Sequence, residues 1–319
     1  MAWQELTLSS EALAGNLLGD PHERPLFVWA PADLSRRYPT VYVLHAHMRS
    51  ARSWFNVTPF ATSYPEDIDA LRPEAVVVLV DGWTSVGGSQ WIDSAGIGRY
   101  STYLCDEVVP FVDERFPTLP EPSRRGLQGK SSGGYGALVT GVGRPDLFGA
   151  VAAHAPDSLF EVTVARGFAP AARALRDGYG GSAAEFWESF TGLRSPDDAL
   201  LVEILSSALA YSDGDLPFSV DDAALVPEVW ERWLSRDPVR LIAEQWEAAC
   251  ELGGVWLDAG NADEYFLDIG AAAVQRALAE AGVADERVHF ELYDGRHGGA
   301  SHRYPLSLGW LVRGLSINL

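Results

Sequence analysis

The chain has 319 residues, 47% of them hydrophobic, enough to bury a sizeable core as one large α/β domain or two smaller ones. A formal net charge of −20 at pH 7 argues against nucleic acid or an anionic membrane surface as a partner, because both repel such a chain. Its two cysteines, Cys105 and Cys250, lie far apart with no C-x-x-C spacing, which removes a metal cluster or a disulfide framework from consideration.

The start, Met-Ala-Trp-Gln-Glu-Leu, has no basic n-region and no apolar h-region, and no later run approaches the roughly 18 apolar residues of a membrane span. The default expectation is a cytoplasmic protein, although a chain trimmed of a signal peptide would look the same. Residues 5–18 alternate loosely between apolar and polar, and Arg24 to Ala30 reads as a strand ended by Pro31, so the two segments are expected to pair as an antiparallel edge. Thr40 to His45 and Ala75 to Val80 are short and β-branched, as expected of strands buried on both faces. Arg99 to Phe116 carries Leu104, Val108, Val109 and Val112 at helical spacing, and Pro117 stops it.

The run Gly129-Lys130-Ser131-Ser132-Gly133-Gly134 comes next and fits G-x-S-x-G. In that pattern a serine is held on a sharp turn between strand and helix, with its hydroxyl above the sheet and the helix N-terminus beside it. Ser131 is therefore the candidate nucleophile, and the backbone N–H of Ser132 is left free to face an oxyanion. Phe148 to Ala153 gives a further strand. From about Ser158 to Ala248 strand signals vanish, and the segment reads as helices and loops carrying Trp187, Trp230, Trp233 and Trp246, most of which should form the segment's own small core. Gly254 to Leu257 resumes the strand pattern, Ile269 to Ala281 reads as a helix, Val288 to Tyr293 as a strand and Tyr304 to Leu315 as a closing helix. Strands alternating with helices predict a mostly parallel sheet covered on both faces.

A serine hydroxyl needs a base to take its proton and a carboxylate to orient that base. Asp258-Ala-Gly-Asn-Ala-Asp263 follows one late strand, and Asp294-Gly-Arg-His297-Gly-Gly follows the next, giving the order serine, aspartate, histidine. Asp263 is favoured over Asp258, because the glycine and asparagine between them let the loop curl back toward the histidine. His297, in a glycine-flanked loop, is favoured over His302 as the base. The second oxyanion donor should come from the loop after the His45 strand, near His47 or Met48. His45-Ala46-His47 also fits H-x-H, but lacks the further ligands of a metallohydrolase, so no metal and no cofactor is expected. Trp83, Trp91, Tyr135 and His154 lie at strand ends or beside the turn and are expected to contact substrate.

These segments together resemble the esterase D-like branch of the α/β-hydrolases, which includes carboxylesterases, S-formylglutathione hydrolases, and feruloyl and enterochelin-type esterases. The resemblance rests on VYVLHA, GGSQW, GKSSGGYGAL, LDAGNADEYF and DGRHGG and spans nearly the whole chain. It implies an α/β-hydrolase core over 1–157 and 249–319 with a helical cap inserted at 158–248. It places the nucleophile on Ser131, the acid on Asp263, the base on His297 and the oxyanion donors on Ser132 and the Ala46–Met48 loop. Ala46 stands where the family commonly has glycine, and Lys130 and Ser132 replace two frequent neighbours of the serine. The implied activity is hydrolysis of short-chain carboxylic esters, with a small-molecule ester as partner and room for a homodimer. Acyl transfer by the same residues, or a binding protein on a hydrolase fold, are the competing expectations.

Overall fold

The computed structural model describes residues 3–317. The strands are β1 (Gln4–Ser9), β2 (Glu23–Trp29), β3 (Thr40–Leu44), β4 (Val76–Val80), the two-residue pair β5 (Asp93–Ser94) and β6 (Gly98–Arg99), β7 (Arg125–Lys130), β8 (Ala150–His154), β9 (Gly254–Gly260) and β10 (Val288–Tyr293). Apart from β5 and β6 they form one sheet of eight strands in the order β1-β2-β4-β3-β7-β8-β9-β10. β1 and β2 make the expected antiparallel edge, β2 pairs antiparallel with β4, and every later neighbour pair is parallel. The result is the mostly parallel sheet of an α/β protein.

Alternation along the central strands divides the core. Tyr42, Leu44, Val76, Val78 and Val80 point to one face and Val41, Val43, Val77 and Leu79 to the other. Both sets are buried, which is why these strands read as continuous apolar runs. Helices Ser132–Gly143 and Leu267–Ala281 cover the first face, and Tyr64–Leu71 and Arg303–Ile317 the second. The helix expected over 99–116 runs from Tyr100 to Arg115 but contains a π-helical turn at Tyr103–Val108. The cause is local: Pro110 has no N–H for its i−4 carbonyl, and the N–H of Val109 reaches back five residues to Leu104. Between β8 and β9 the chain adds only helices to the described structure, the longest being Pro196–Ser212. Trp233 is fully buried there, donating its Nε1–H to Ser212 Oγ at 2.8 Å, and its ring packs with Phe168 and Trp230, whereas Trp246 is exposed.

One buried polar network ties the sheet to the closing helix. Asp258, at 0% exposure, accepts His154 Nδ1–H at 2.7 Å, Trp256 Nε1–H at 2.8 Å and Arg303 Nε–H at 2.9 Å. His154 Nε2 meets Ser307 Oγ at 2.8 Å, and Gln128 Nε2 donates to the same oxygen at 2.7 Å. Arg303 also pairs with Glu291. Burial by itself would raise the Asp258 carboxyl, but the His154, Trp256 and Arg303 partners outweigh it and hold it below the ordinary carboxylate value. A depressed folded-state value means stability that is present above the unfolded value and is lost as pH falls through the folded one. Asp258→Asn removes the charge that Arg303 is buried against, so it is expected to cost about 3 kcal/mol in urea unfolding near neutral pH. That deficit should shrink below about pH 4, where the wild-type carboxylate also takes up a proton.

Candidate active site

β7 ends at Lys130, and Ser131 takes φ 56° and ψ −124° before helix Ser132–Gly143 begins. Residues with a Cβ rarely occupy such a conformation, so the neighbouring contacts must hold it. Ser131 N–H donates to the carbonyl of His154 on β8 at 2.9 Å, and the Ser131 carbonyl accepts Tyr135 N–H at 2.8 Å. A Cβ on Gly129 would lie 2.2 Å from the Gly133 carbonyl oxygen, and one on Gly133 would lie 2.3 Å from that of Leu44. The motif's glycines are thus required by close backbone approach, and they let the serine project beyond the strand ends.

The loops after β9 and β10 bring Asp263 and His297 together. His297 Nδ1–H donates to Asp263 Oδ2 at 2.8 Å, and Asp263 Oδ1 accepts Tyr265 N–H at 2.8 Å. This fixes the tautomer, leaving His297 Nε2 as an acceptor. Burial acts to raise the Asp263 carboxyl, but the His297 hydrogen bond and charge, followed by backbone N–H donors, hold it below its ordinary value. His297 N–H is tethered to Glu264 at 3.0 Å, and its ring lies edge-on to Tyr265. Ser131 and His297 line one cavity of about 330 Å³. In the resting structure the serine hydroxyl donates to Asp157 Oδ1 at 3.2 Å, not to the imidazole. Asp258 belongs to the buried network, and His302, whose Nδ1 contacts the Gly299 carbonyl, does not line the cavity.

On the oxyanion side, Ser132 opens its helix and its N–H has no intrahelical acceptor. His47 and Met48 both line the cavity. Met48 N–H, however, donates to the Gly87 carbonyl at 2.6 Å, so Met48 does not supply the donor expected of it. The His47 N–H is bonded to no backbone carbonyl among the described residues. Its ring is clamped between Ser206 Oγ, 2.8 Å from Nε2, and Gly88, where a Cβ would stand 2.5 Å away. Burial and then the neighbouring His45 push the His47 imidazole down to about 4, so it is neutral at physiological pH. The other half of H-x-H is also committed, since His45 accepts Gly82 N–H at 2.9 Å on Nε2 and bonds the Ala46 carbonyl through Nδ1.

None of the four residues expected to contact substrate lines this cavity. His154 is locked in the Asp258 network. Tyr135 is fully buried behind Phe160 and Tyr211, which do line the cavity. Trp91 is 1% exposed, donates Nε1–H to the His45 carbonyl at 3.2 Å and packs over Gly82 and Gly136. Trp83 lies outside, with its carbonyl accepting from Arg24 and Tyr100. The physical reason for the Trp91 result is a backbone reversal: Gln90 and Trp91 have φ of 52° and 57°, which turns the tryptophan inward and leaves Gln90 on the cavity.

Sequence reasoning missed two acids. Asp157 stands three residues beyond the end of β8, and Glu203 projects from helix Pro196–Ser212; both line the cavity. The only signal in the sequence was the position of Pro156-Asp157 at a strand end. Burial, and then the charge of Glu203, push the Asp157 carboxyl up to about 7 against the opposing hydrogen bond from Ser131. Burial likewise raises Glu203, with Arg166 opposing, and lowers Lys130, with Asp263 and Asp157 opposing.

The sheet order and the strand-to-helix turn define an α/β-hydrolase. The chain belongs to the family described as "Putative esterase", whose profile matches residues 21–310, and it is accordingly a serine-type carboxylic ester hydrolase. Solved structures with the same fold include a ferulic acid esterase, 18% identical with TM-score 0.62, covering 98% of each chain. An S-formylglutathione hydrolase from Staphylococcus aureus is 16% identical with TM-score 0.60, again over 98% of each chain. One from Agrobacterium tumefaciens is 16% identical with TM-score 0.59, over 98% of this chain and 95% of its own. A search of curated proteins found no match.

The Asp157 geometry predicts a pH-dependent stability cost. A carboxyl whose folded-state value is raised favours the protonated fold, so stability is lost as pH rises from the unfolded value, about 4, through about 7. Asp157→Asn, which keeps an acceptor for the serine and has no charge, is expected to melt above the wild type at about pH 8. The two melting curves should converge near pH 4.

Proposed function

We propose that Ser131 is the nucleophile of this esterase, attacking the carbonyl of a short-chain carboxylic ester with His297 as base and Asp263 as its orienting acid. The observation that carries the reading is the opening of Ser131 and the Asp263-paired His297 onto one cavity. The Ser131 hydroxyl rotates from Asp157 toward His297 Nε2 when substrate enters; such bonds are commonly unformed in a free enzyme. As the Oγ–C bond forms, the proton passes to Nε2 and the carbonyl electrons move to oxygen, where the Ser132 and His47 N–H groups stabilise the charge. Collapse expels the alcohol, which takes the proton back from His297. Water then repeats the sequence on the acyl-enzyme.

The helices between residues 158 and 248 act as a cap, because Glu203, Ser207 and Tyr211 of Pro196–Ser212 form one wall of the cavity. A volume of about 330 Å³ sits at the small end of ligand sites and supports a compact acyl group.

Ser131→Ala is expected to lower kcat for p-nitrophenyl butyrate by roughly 10^5 while leaving the circular dichroism spectrum unchanged. Asp263→Asn should lower kcat by roughly 10^3 to 10^4, because the imidazole loses the partner that sets its tautomer. Asp258→Asn, compared at a temperature where both variants are folded, should lose far less. Equal losses at the two aspartates would remove Asp263 from the role given to it.

A further inference from the structure

Asp157 touches the nucleophile but has no task in the scheme above. Its Oδ1 accepts the Ser131 hydroxyl at 3.2 Å, and no other hydrogen-bond donor among the described residues reaches that carboxyl. It is tied to the nucleophile a second time, because its own N–H donates to the Ser131 carbonyl at 3.4 Å. The segment that carries it is fixed. Ala155 stands at φ 40° with its N–H on the Asp258 carbonyl at 2.6 Å, Pro156 has a locked φ, and Ser158 Oγ bonds back to the Pro156 carbonyl at 3.0 Å. Helix Ser132–Gly143 packs against this turn so closely that a Cβ on Gly134 would stand 3.3 Å from Pro156 Cα. The main chain under Asp157 is therefore held in place, and release falls to the hydroxyl itself.

What release costs depends on one proton. A carboxylate only accepts, so it binds the serine O–H, and such a charge-assisted bond is roughly twice as strong as a neutral one. A carboxylic acid has a proton of its own to give to Oγ, which frees the serine hydrogen for His297 Nε2.

We infer that Asp157 is a positioning residue that withholds the nucleophile: ionised, it keeps the Ser131 hydroxyl turned from His297, and protonated, it gives that hydroxyl up. The inference rests on Ser131 as nucleophile. Burial and then Glu203 push Asp157 up to about 7 against the Ser131 hydrogen bond, so the change falls near neutral pH. Glu203 on helix Pro196–Ser212 and Asp263 after β9 favour the protonated form, and Lys130 at the end of β7 opposes them. The Tyr135 and Tyr211 phenols also feel its charge, but burial raises both far above neutral pH and keeps them uncharged. Elsewhere on the cavity Arg166 acts on Glu203, and Arg49 on Lys130. An esterase whose only titrating group is its base gains rate as that base loses its proton and then holds level. Here kcat/KM should instead pass a maximum and fall on the alkaline side of about pH 7, as Asp157 ionises.

The test follows kcat/KM for p-nitrophenyl acetate between about pH 6 and pH 9 in wild type and Asp157→Asn, at a temperature where circular dichroism shows both folded throughout. Asparagine accepts from the serine without charge at every pH. The ratio of Asp157→Asn to wild type should therefore rise tenfold or more across that range, about 1.4 kcal/mol or more. Inactivation by phenylmethanesulfonyl fluoride, which reacts at the serine without an ester substrate, should diverge in the same way. Glu203→Gln removes a charge that raises Asp157, so its alkaline limb should move to lower pH, and this variant carries the test should Asp157→Asn fail to fold. A ratio that stays flat in either assay, or a Glu203→Gln limb that does not move, overturns the inference and leaves the esterase assignment standing. Full turnover by Ser131→Ala would instead strike the nucleophile on which the inference rests.

Discussion

The site depends on one backbone conformation. Ser131 sits at φ 56° and ψ −124°, and it can do so only because Gly129 and Gly133 let the chain pass within van der Waals contact of itself and of β3. The strain is offset by the Ser131 N–H bond to the His154 carbonyl and by the helix that starts at once after it. Several consequences follow from that turn. The hydroxyl stands above the sheet, the first helical N–H is unused, and the loops after β8, β9 and β10 end at the same edge because the parallel strands all run toward it. A side chain at Gly133 would collide with main-chain atoms of β3, so the turn would have to move away from the loop after β3 as well as lose its shape.

The molecule contains two serine–histidine–aspartate constellations, and comparing them shows what reactivity requires. Ser307, His154 and Asp258 are linked at 2.8 Å and 2.7 Å, a tighter chain than the one at the cavity, yet all three are at most 1% exposed. Ser307 also accepts from Gln128. No substrate reaches that hydroxyl, so the group serves to pin the closing helix to the sheet. Ser131, His297 and Asp263 are less completely bonded, and the unmet capacity of His297 Nε2 and of the nearby N–H groups is what a reacting ester can use. Access separates the two groups: Ser131 and His297 open onto the cavity, whereas Ser307, His154 and Asp258 do not.

What the sequence made legible was whatever is encoded over a few neighbouring residues. The buried strands, the G-x-S-x-G turn and the glycine-flanked His297 are local patterns, and each is found where the pattern puts it. Asp258 and Asp263 differ in surroundings because Asp258 lies inside β9, where it accepts from Arg303, while Asp263, five positions later in the following loop, accepts from His297. The pocket walls were not legible. Trp91 and Gln90 are adjacent in sequence, and only their two left-handed conformations decide which of them reaches the cavity. Tyr135 is one helical turn from the serine, yet its ring points into the core. Asp157 and Glu203 meet across 46 positions of inserted helix, and no short-range pattern announces such a meeting.

The inserted helix Pro196–Ser212 shapes the chemistry as well as covering it. Ser206 holds His47 Nε2 at 2.8 Å, Val202 packs near Gly87, and Gly87 in turn occupies the N–H of Met48. His47 and Met48, on the loop after β3, are therefore set by contacts that begin on the insertion and on the loop after β4. One turn of the same helix earlier, Glu203 faces Asp157. A helix that holds the His47 ring at one wall of the cavity and carries Glu203 at another cannot shift without altering both. Changes in that helix therefore reach both walls of the cavity together, since the contacts that position the His47 loop and those that place Glu203 pass through the same packed surface.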